Sequence, residues 1–152
     1  MVLAVLFRVS DVAYAIPCQN VLEVLPLRAL RAPAHAPPWL AGTFAYRGVL
    51  VSVIDACQLL GGYPCRERLS SRMALVRSST QERGVIIAGV VAERMTEVRR
   101  LSGQALLTRS DAPPSYLGPV IEEATELVQC IEVDRLVGIT LSIAGSADVD
   151  PD

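Results

Sequence analysis

The chain has 152 residues, 51% of them apolar, and sets 14 arginines and no lysine against 16 acidic residues, for a formal net charge of -2. That length suits one or two small domains with a buried core, and the charges form no basic tail or stripe of the kind that nucleic acid or an anionic membrane attracts. Apolar runs are broken by Arg, Gly or Pro well short of the ~20 residues of a membrane span, and residues 1–7 lack the basic start and cleavage site of a secretory leader, so a cytoplasmic protein without direct membrane insertion is expected.

Strand signals dominate from the start. Residues 2–10 place Leu3, Val5, Phe7 and Val9 at period two, the mark of a half-buried strand. Ser10 and Asp11 make a polar break, and Val12, Tyr14 and Ile16 resume the alternation, so the two runs predict a hairpin. Pro17 ends it, because proline has no N–H for a ladder. Residues 21–33 are part-apolar, and Pro26 stops them from forming a long helix. The prolines of 33–42 predict an extended connector, with one helical turn at 38–42 closed by Gly42. Residues 43–55 give two strand runs joined at Arg47-Gly48, and 56–62 a short helix with glycine at its end. Strand runs follow at 72–77 and 84–92 around a polar loop, 78–83. A strand at 95–101, a proline-bearing loop at 110–120, a strand at 124–133 and a closing turn at 134–138 complete the order.

Parts of the chain repeat. LVSVIDACQLLG at 50–61 returns as LVQCIEVDRLVG at 127–138, setting Asp55 against Glu132 at an offset of 77. VLEVLPL at 21–27 returns in MTEVRRL at 95–101, aligning Glu23 with Glu97, Val24 with Val98 and Leu27 with Leu101 at an offset of 74. Two echoes in the same order point to an internal duplication. Each half then holds about five short strands, too few for a flat sheet, so each is expected to curl into a small barrel. The predicted fold is all-β: two small five-stranded, SH3-like β-barrels with short helices, framing a groove between them. The domain is expected over 1–144, with pseudo-repeated barrel subdomains at roughly 14–70 (plus terminal strand exchange) and 71–138. The acidic stretch 145–152 is expected to be a disordered tail.

Catalysis finds no constellation. Cys18, Cys57, Cys65 and Cys130 lack zinc-ligand spacing and predict free thiols rather than a metal site. His35, the single histidine, sits between prolines with no nucleophile context. Glu122, Glu123 and Glu126 are adjacent acids of the kind that usually solvate a loop, and neither a Walker loop nor a GxGxxG follows a strand. No enzyme activity, cofactor or metal is therefore expected. A barrel holding a small ligand, or less favourably single-stranded nucleic acid, is the alternative; the latter needs a basic, aromatic platform. Trp39 is expected to cap the core beneath the proline connector.

Residues 21–61 carry a family resemblance. VLEVLPL, then APPWLAG, then YRGVLVSVID, then QLLG resemble the CheW family of chemosensory coupling proteins, and the later segments AERMTEVRRL and ELVQCIEVDRLVG extend the likeness over nearly the whole chain. Ala45-Tyr46 stands where the family usually has asparagine–leucine before Arg-Gly, and Ser52 where it has proline. FAYRG looks closer to auxiliary couplers of alternative arrays, such as Wsp-type systems. The resemblance implies a non-catalytic CheW-like scaffold. It would bind the cytoplasmic tip of a methyl-accepting chemoreceptor and the regulatory domain of a CheA-type histidine kinase. By the same resemblance Val21, Glu23, Gly42, Arg47 and Gly48 match positions that bind partners or shape that surface. Arg47 is the leading candidate, since a guanidinium fork fits a carboxylate or a row of helix-end carbonyls; pairing with Asp55 or Glu23 inside the barrel weighs evenly against that role. Val21 or Leu22 could offer an apolar contact to a helical tip, although burial is the commoner fate of either. Gly84 is expected to serve a hairpin turn at Arg83-Gly84, and Gly89 a turn, a bulge or a close backbone approach.

Overall fold

The computed structural model describes residues 2–80, 84–106, 116–138 and 140. Strands Val2–Val9 (β1) and Val12–Pro17 (β2) form the predicted hairpin, with Ser10 and Asp11 both at left-handed φ between the paired Val9 and Val12. That geometry matches the twist of the flanking strands. A 3-10 turn at Cys18–Asn20 leads into Val21–Pro26 (β3). Leu40–Tyr46 (β4) and Val49–Asp55 (β5) make a second hairpin, followed by the helix Ala56–Gly61 (α1). Arg72–Thr80 (β6) and Gly84–Ala92 (β7) make a third hairpin. Glu97–Leu101 (β8), Gln104–Leu106 (β9), Leu117–Glu122 (β10), Leu127–Ile131 (β11) and a helical turn at 133–138 complete the order.

Three local expectations are corrected. The helical turn predicted at 38–42 is a non-helical turn at 38–39 running straight into β4, where Leu40 and Gly42 pair with Ile54 and Val53 across a bulge. Pairing with β5 satisfies that backbone better than one isolated helical turn could. Residues 78–80, expected in a loop, extend β6, with Thr80 paired to Gly84. Residues 117–120, expected in a proline-bearing loop, lie in β10. Gly84 does take the left-handed φ of a turn residue; Arg83 and the tail at 145–152 lie outside the described residues.

The strands form two sheets, β8-β1-β2-β11-β10-β9 and β3-β6-β7-β5-β4. Both follow one pairing scheme. Glu23 pairs with Leu75, Leu75 with Gly89 and Gly89 with Val53; Glu97 pairs with Leu6, Leu6 with Ala15 and Ala15 with Cys130. Glu23 and Glu97 differ by 74 and Val53 and Cys130 by 77, the offsets of the two sequence echoes. The junction after β5 repeats too: Asp55 N donates to Trp39 O at 2.7 Å, and Glu132 N to Tyr116 O at 2.8 Å. In chain order each repeat is thus hairpin, strand, hairpin, helix. The second repeat adds the short β9 between its single strand and its last hairpin, which makes that sheet six-stranded where five were expected. The first hairpin of each pairs into the sheet of the other, so β1–β2 and β6–β7 are exchanged. A division near 70/71 separates the repeats in sequence, but it does not separate the sheets, because β6 and β7 pair with β3 and β5.

Both sheets curl. Six flat strands at ~4.8 Å spacing would be about 24 Å wide. Yet β8 and β9 occupy opposite edges of their sheet, and the two residues joining them span at most about 11 Å. In the other sheet the chain after β3 bends across to β4, where Arg31 bridges Thr43. Each curl has its own apolar filling: Ala4, Leu6, Ala13, Ala15, Leu101 and Val128 in one, Leu25, Val51, Val53, Met73, Leu75 and Val91 in the other. A larger core between them holds Phe7, Ile16, Ile54, Met95 and Val137, with Trp39 packed at its margin as predicted. Gly89 fits the second filling because a Cβ there would press on Met73 Sδ and Val53 Cγ2.

Acidic side chains clamp the first curl. Glu126, expected to be merely solvated, accepts a two-pronged bond from Arg8 at 2.8 and 2.9 Å and a third from Arg99 at 3.1 Å, while Arg99 also holds Glu97. Glu123 accepts Gly103 N at 2.7 Å. The Arg8 bonds, with those of Arg99, hold the Glu126 carboxyl below the usual carboxylate range. A depressed folded-state value contributes stability above the unfolded value of ~4.3 that fades as pH falls through the folded one. Glu126→Gln should therefore cost about 1 kcal/mol at neutral pH. Denaturant unfolding from pH 7 to 3 should show that difference shrinking as acid protonates the wild-type carboxylate; a pH-independent difference would refute the clamp.

Candidate functional site

The β4–β5 hairpin presents the most exposed of the predicted site residues. Tyr46 pairs with Val49, leaving Arg47 and Gly48 as a two-residue turn with φ of 49° and 80°. Two left-handed residues are what a tight hairpin needs, and glycine takes the second without a Cβ penalty. Arg47 and Gly48 are both exposed. The Arg47 guanidinium lies 5.2 Å from the centre of the Tyr46 ring. Tyr46 packs edge-on against Phe44 at 6.4 Å, and Arg28 lies 5.4 Å from Phe44. The result is a row of Arg28, Phe44, Tyr46 and Arg47 along one hairpin.

Glu23 closes the row from β3, at the other edge of the curled sheet, accepting the Tyr46 hydroxyl at 2.8 Å. That bond holds the Tyr46 phenol above its usual value. Glu23 is thereby occupied by Tyr46. Asp55 is occupied elsewhere, accepting Gln58 N and Cys65 N at 3.0 Å each. Neither acid pairs with Arg47, and among the described residues Arg47 makes no ion pair. Among the described residues nothing occupies the guanidinium's N–H fork, and its face rests on an aromatic ring, an arrangement that suits capture of a carboxylate or of helix-end carbonyls.

The remaining predicted residues divide. Val21 is half-buried and packs against the large core, beside a bulge between Val21 and Glu23. Its neighbours Leu22 and Val24 are the apolar residues that β3 exposes, at 47% and 40%. Gly42 is buried at φ 147°, where a Cβ would lie 2.8 Å from Leu30 Cβ. Sequence reasoning passed over Phe44 and Arg28, and treated Tyr46 only as a departure from the family pattern. The alternation of Phe44 and Tyr46 before Arg-Gly was the available signal, since it sets both rings on one face.

Two other cavities bear on function. One is an open cavity of about 480 Å³, lined by Arg8, Asp11, Tyr63, Arg66, Glu93 and Arg94 among others, and none of the five predicted residues reaches it. Burial would raise the Glu93 carboxyl, but Arg66 N–H and the Arg66 and Arg68 guanidiniums outweigh it and hold it below the usual range. The apolar cavity beside Phe7, Ile16 and Leu136 has only about 10 Å³. That is water-sized at most, far below the ~300 Å³ of a ligand pocket.

Comparison with known proteins supplies relatives. Residues 3–140 match the CheW-like domain family. The chain is 33% identical to protein FrzA of Myxococcus xanthus over 136 residues, covering 86% of this chain and 82% of that one. It is 31% identical to the chemotaxis protein CheW of Helicobacter pylori over 96 residues, covering 62% of this chain and about half, 54%, of the relative. The scaffolding protein TtCheW from Thermoanaerobacter tengcongensis has a similar fold, with a TM-score of 0.69 at 18% identity over 86% of this chain and 83% of that chain.

Proposed function

The chain belongs to the CheW-like domain family, and we propose that it is a non-enzymatic chemosensory adaptor that couples a methyl-accepting chemoreceptor to a CheA-type histidine kinase. The receptor's helical tip docks on the β4–β5 hairpin and β3, with Arg47 as its polar anchor and Leu22 and Val24 as apolar flank. Val21, Gly42 and Gly48 shape that surface from beneath and beside it, and Glu23 fixes the Tyr46 ring on which Arg47 rests. The observation that carries this reading is the exposed Arg47 at a tight turn, stacked on Tyr46 and paired with no carboxylate among the described residues. An apolar helix face beside one guanidinium contact is a common way to seat a helix. The kinase's regulatory domain binds elsewhere on the two-sheet body, so that a shift of receptor helices is passed on through a rigid intermediary. Affinity at either surface can be modest, because an array multiplies weak contacts.

A pull-down with the receptor tip and with the kinase regulatory domain tests this, using wild type and Arg47→Glu. Reversing an anchoring charge should weaken receptor capture about tenfold or more, leave kinase capture unchanged and leave the unfolding midpoint unchanged, because the turn keeps its glycine. Equal receptor capture by both proteins would remove Arg47 from the site. Failure of the wild type to retain either partner would remove the adaptor reading.

A further inference from the structure

Four cysteines read as isolated in sequence, yet the fold joins two of them. Cys57, in the first turn of α1, and Cys65, in the connector between α1 and β6, place their sulfurs 2.6 Å apart. A disulfide bond needs about 2.0 Å, so bond formation asks for a small side-chain movement and no rearrangement of either segment. We propose that Cys57 and Cys65 form a peroxide-oxidisable dithiol, a site of reversible intramolecular disulfide formation that pins α1 to the connector.

The surroundings suit that chemistry. Cys57 is fully buried, while half-buried Cys65 lines a cavity of about 160 Å³ with Leu27, Leu30 and Glu67, room enough to admit a peroxide. Both segments are held before reaction: Asp55 accepts Gln58 N at the start of α1 and Cys65 N in the connector, and Glu93 accepts Arg66 N at 2.9 Å. The Cys65 thiol's hydrogen bond to Cys57 favours a thiolate there and pushes the Cys57 value down, and the same bond pushes Cys65 up. One proton is therefore lost before the other, which readies one thiolate for attack.

The step balances. The thiolate attacks one peroxide oxygen; an S–O bond forms, the O–O bond breaks, and the departing hydroxide takes a proton to leave as water. The second sulfur then displaces the hydroxyl of the resulting sulfenic acid; the S–S bond forms, the S–O bond breaks, and a second water leaves. Two thiols and one hydrogen peroxide give one disulfide and two waters, each sulfur losing one electron to the peroxide.

A metal fits the same residues poorly. Asp55, Cys57 and Cys65 could converge on an ion, but both Asp55 oxygens already accept backbone N–H groups. Glu93, 3.8 Å from the Cys57 sulfur, lies 3.5 Å from the Arg66 guanidinium and 3.6 Å from that of Arg68. An incoming cation would have to displace the first pair of bonds and oppose the second pair of charges.

Trypsin leaves both residues on one peptide, 48–66, and Cys18 and Cys130 on others. The reduced full chain is treated with a slight excess of hydrogen peroxide, quenched, denatured, alkylated and digested. Peptide 48–66 should lose both alkylation sites and two hydrogens, and regain them on reduction, while Cys18 and Cys130 stay alkylated. In Cys65→Ser, or Cys65→Ala should serine destabilise the connector, Cys57 should no longer be lost as a disulfide. Full alkylation of peptide 48–66 after treatment, or sulfinic acid at Cys65 beside an alkylated Cys57, overturns the proposal. So does stoichiometric zinc uptake by the reduced chain that blocks oxidation and is abolished by Cys65→Ser.

Discussion

Replacing Asp55 with alanine should destabilise the fold by about 2–4 kcal/mol, through two lost bonds to one buried carboxylate. Its Oδ1 accepts Gln58 N and caps α1, a contact worth ~1 kcal/mol. Its Oδ2 accepts Cys65 N, and a buried donor left without a partner costs ~1–3 kcal/mol. For a chain this size the sum lowers the thermal midpoint by about 5–15 °C. Asparagine separates the two bonds: its single oxygen can keep the cap, but its amide group presents a donor to Cys65 N. Asp55→Asn should therefore lie about midway between wild type and Asp55→Ala in thermal unfolding. An asparagine variant as stable as wild type would show that the connector bond contributes nothing; one as unstable as the alanine would show that the cap contributes nothing.

Asp55 also shows how much of the fold was legible in the sequence. The echo of 50–61 in 127–138 set Asp55 against Glu132, and both residues do sit where a strand passes into a helix and donate their N–H to a carbonyl 16 residues earlier, on Trp39 and Tyr116. Period-two alternation found the hairpins, since a strand's sides are set locally. A terminal strand exchange was expected, but not that the whole hairpins β1–β2 and β6–β7 change sheets, because nothing local in β1 or β6 says which sheet it joins. The pairing of Val5 with Val98 spans most of the chain. Side-chain networks were hidden for the same reason. Glu126 looked like one acid among several, until the curl brought Arg8 and Arg99 to it. Cys57 and Cys65 match no motif spacing, and only the return of the connector over α1 makes them neighbours. At the candidate site the turn residues Arg47 and Gly48 were legible because turn chemistry is local. The engagement of Glu23 by Tyr46 was not, since it depends on β3 and β4 meeting around the curl.

Gly42→Ala should cost about 2–4 kcal/mol of stability. The resemblance placed Gly42 among partner-contact positions, but its backbone has the stronger claim on it. At φ 147° an L-residue is strained, an effect of ~1–3 kcal/mol. The added methyl would also lie 2.8 Å from Leu30 Cβ and 3.1 Å from the Arg31 carbonyl. Those atoms belong to the backbone or its first side-chain carbon, so no rotamer change relieves the contact, and overpacking of this kind costs ~1–3 kcal/mol. The chain after β3 would have to lift, stretching the two bonds between Arg31 and Thr43, now 3.0 and 3.1 Å. Amide exchange at Arg31 and Thr43 should accelerate together with the fall in unfolding midpoint. Because that bridge helps to curl the sheet beneath Tyr46 and Arg47, receptor capture should weaken only as the folded fraction falls. Weakened capture by a variant of unchanged stability would instead make Gly42 a direct contact for the partner.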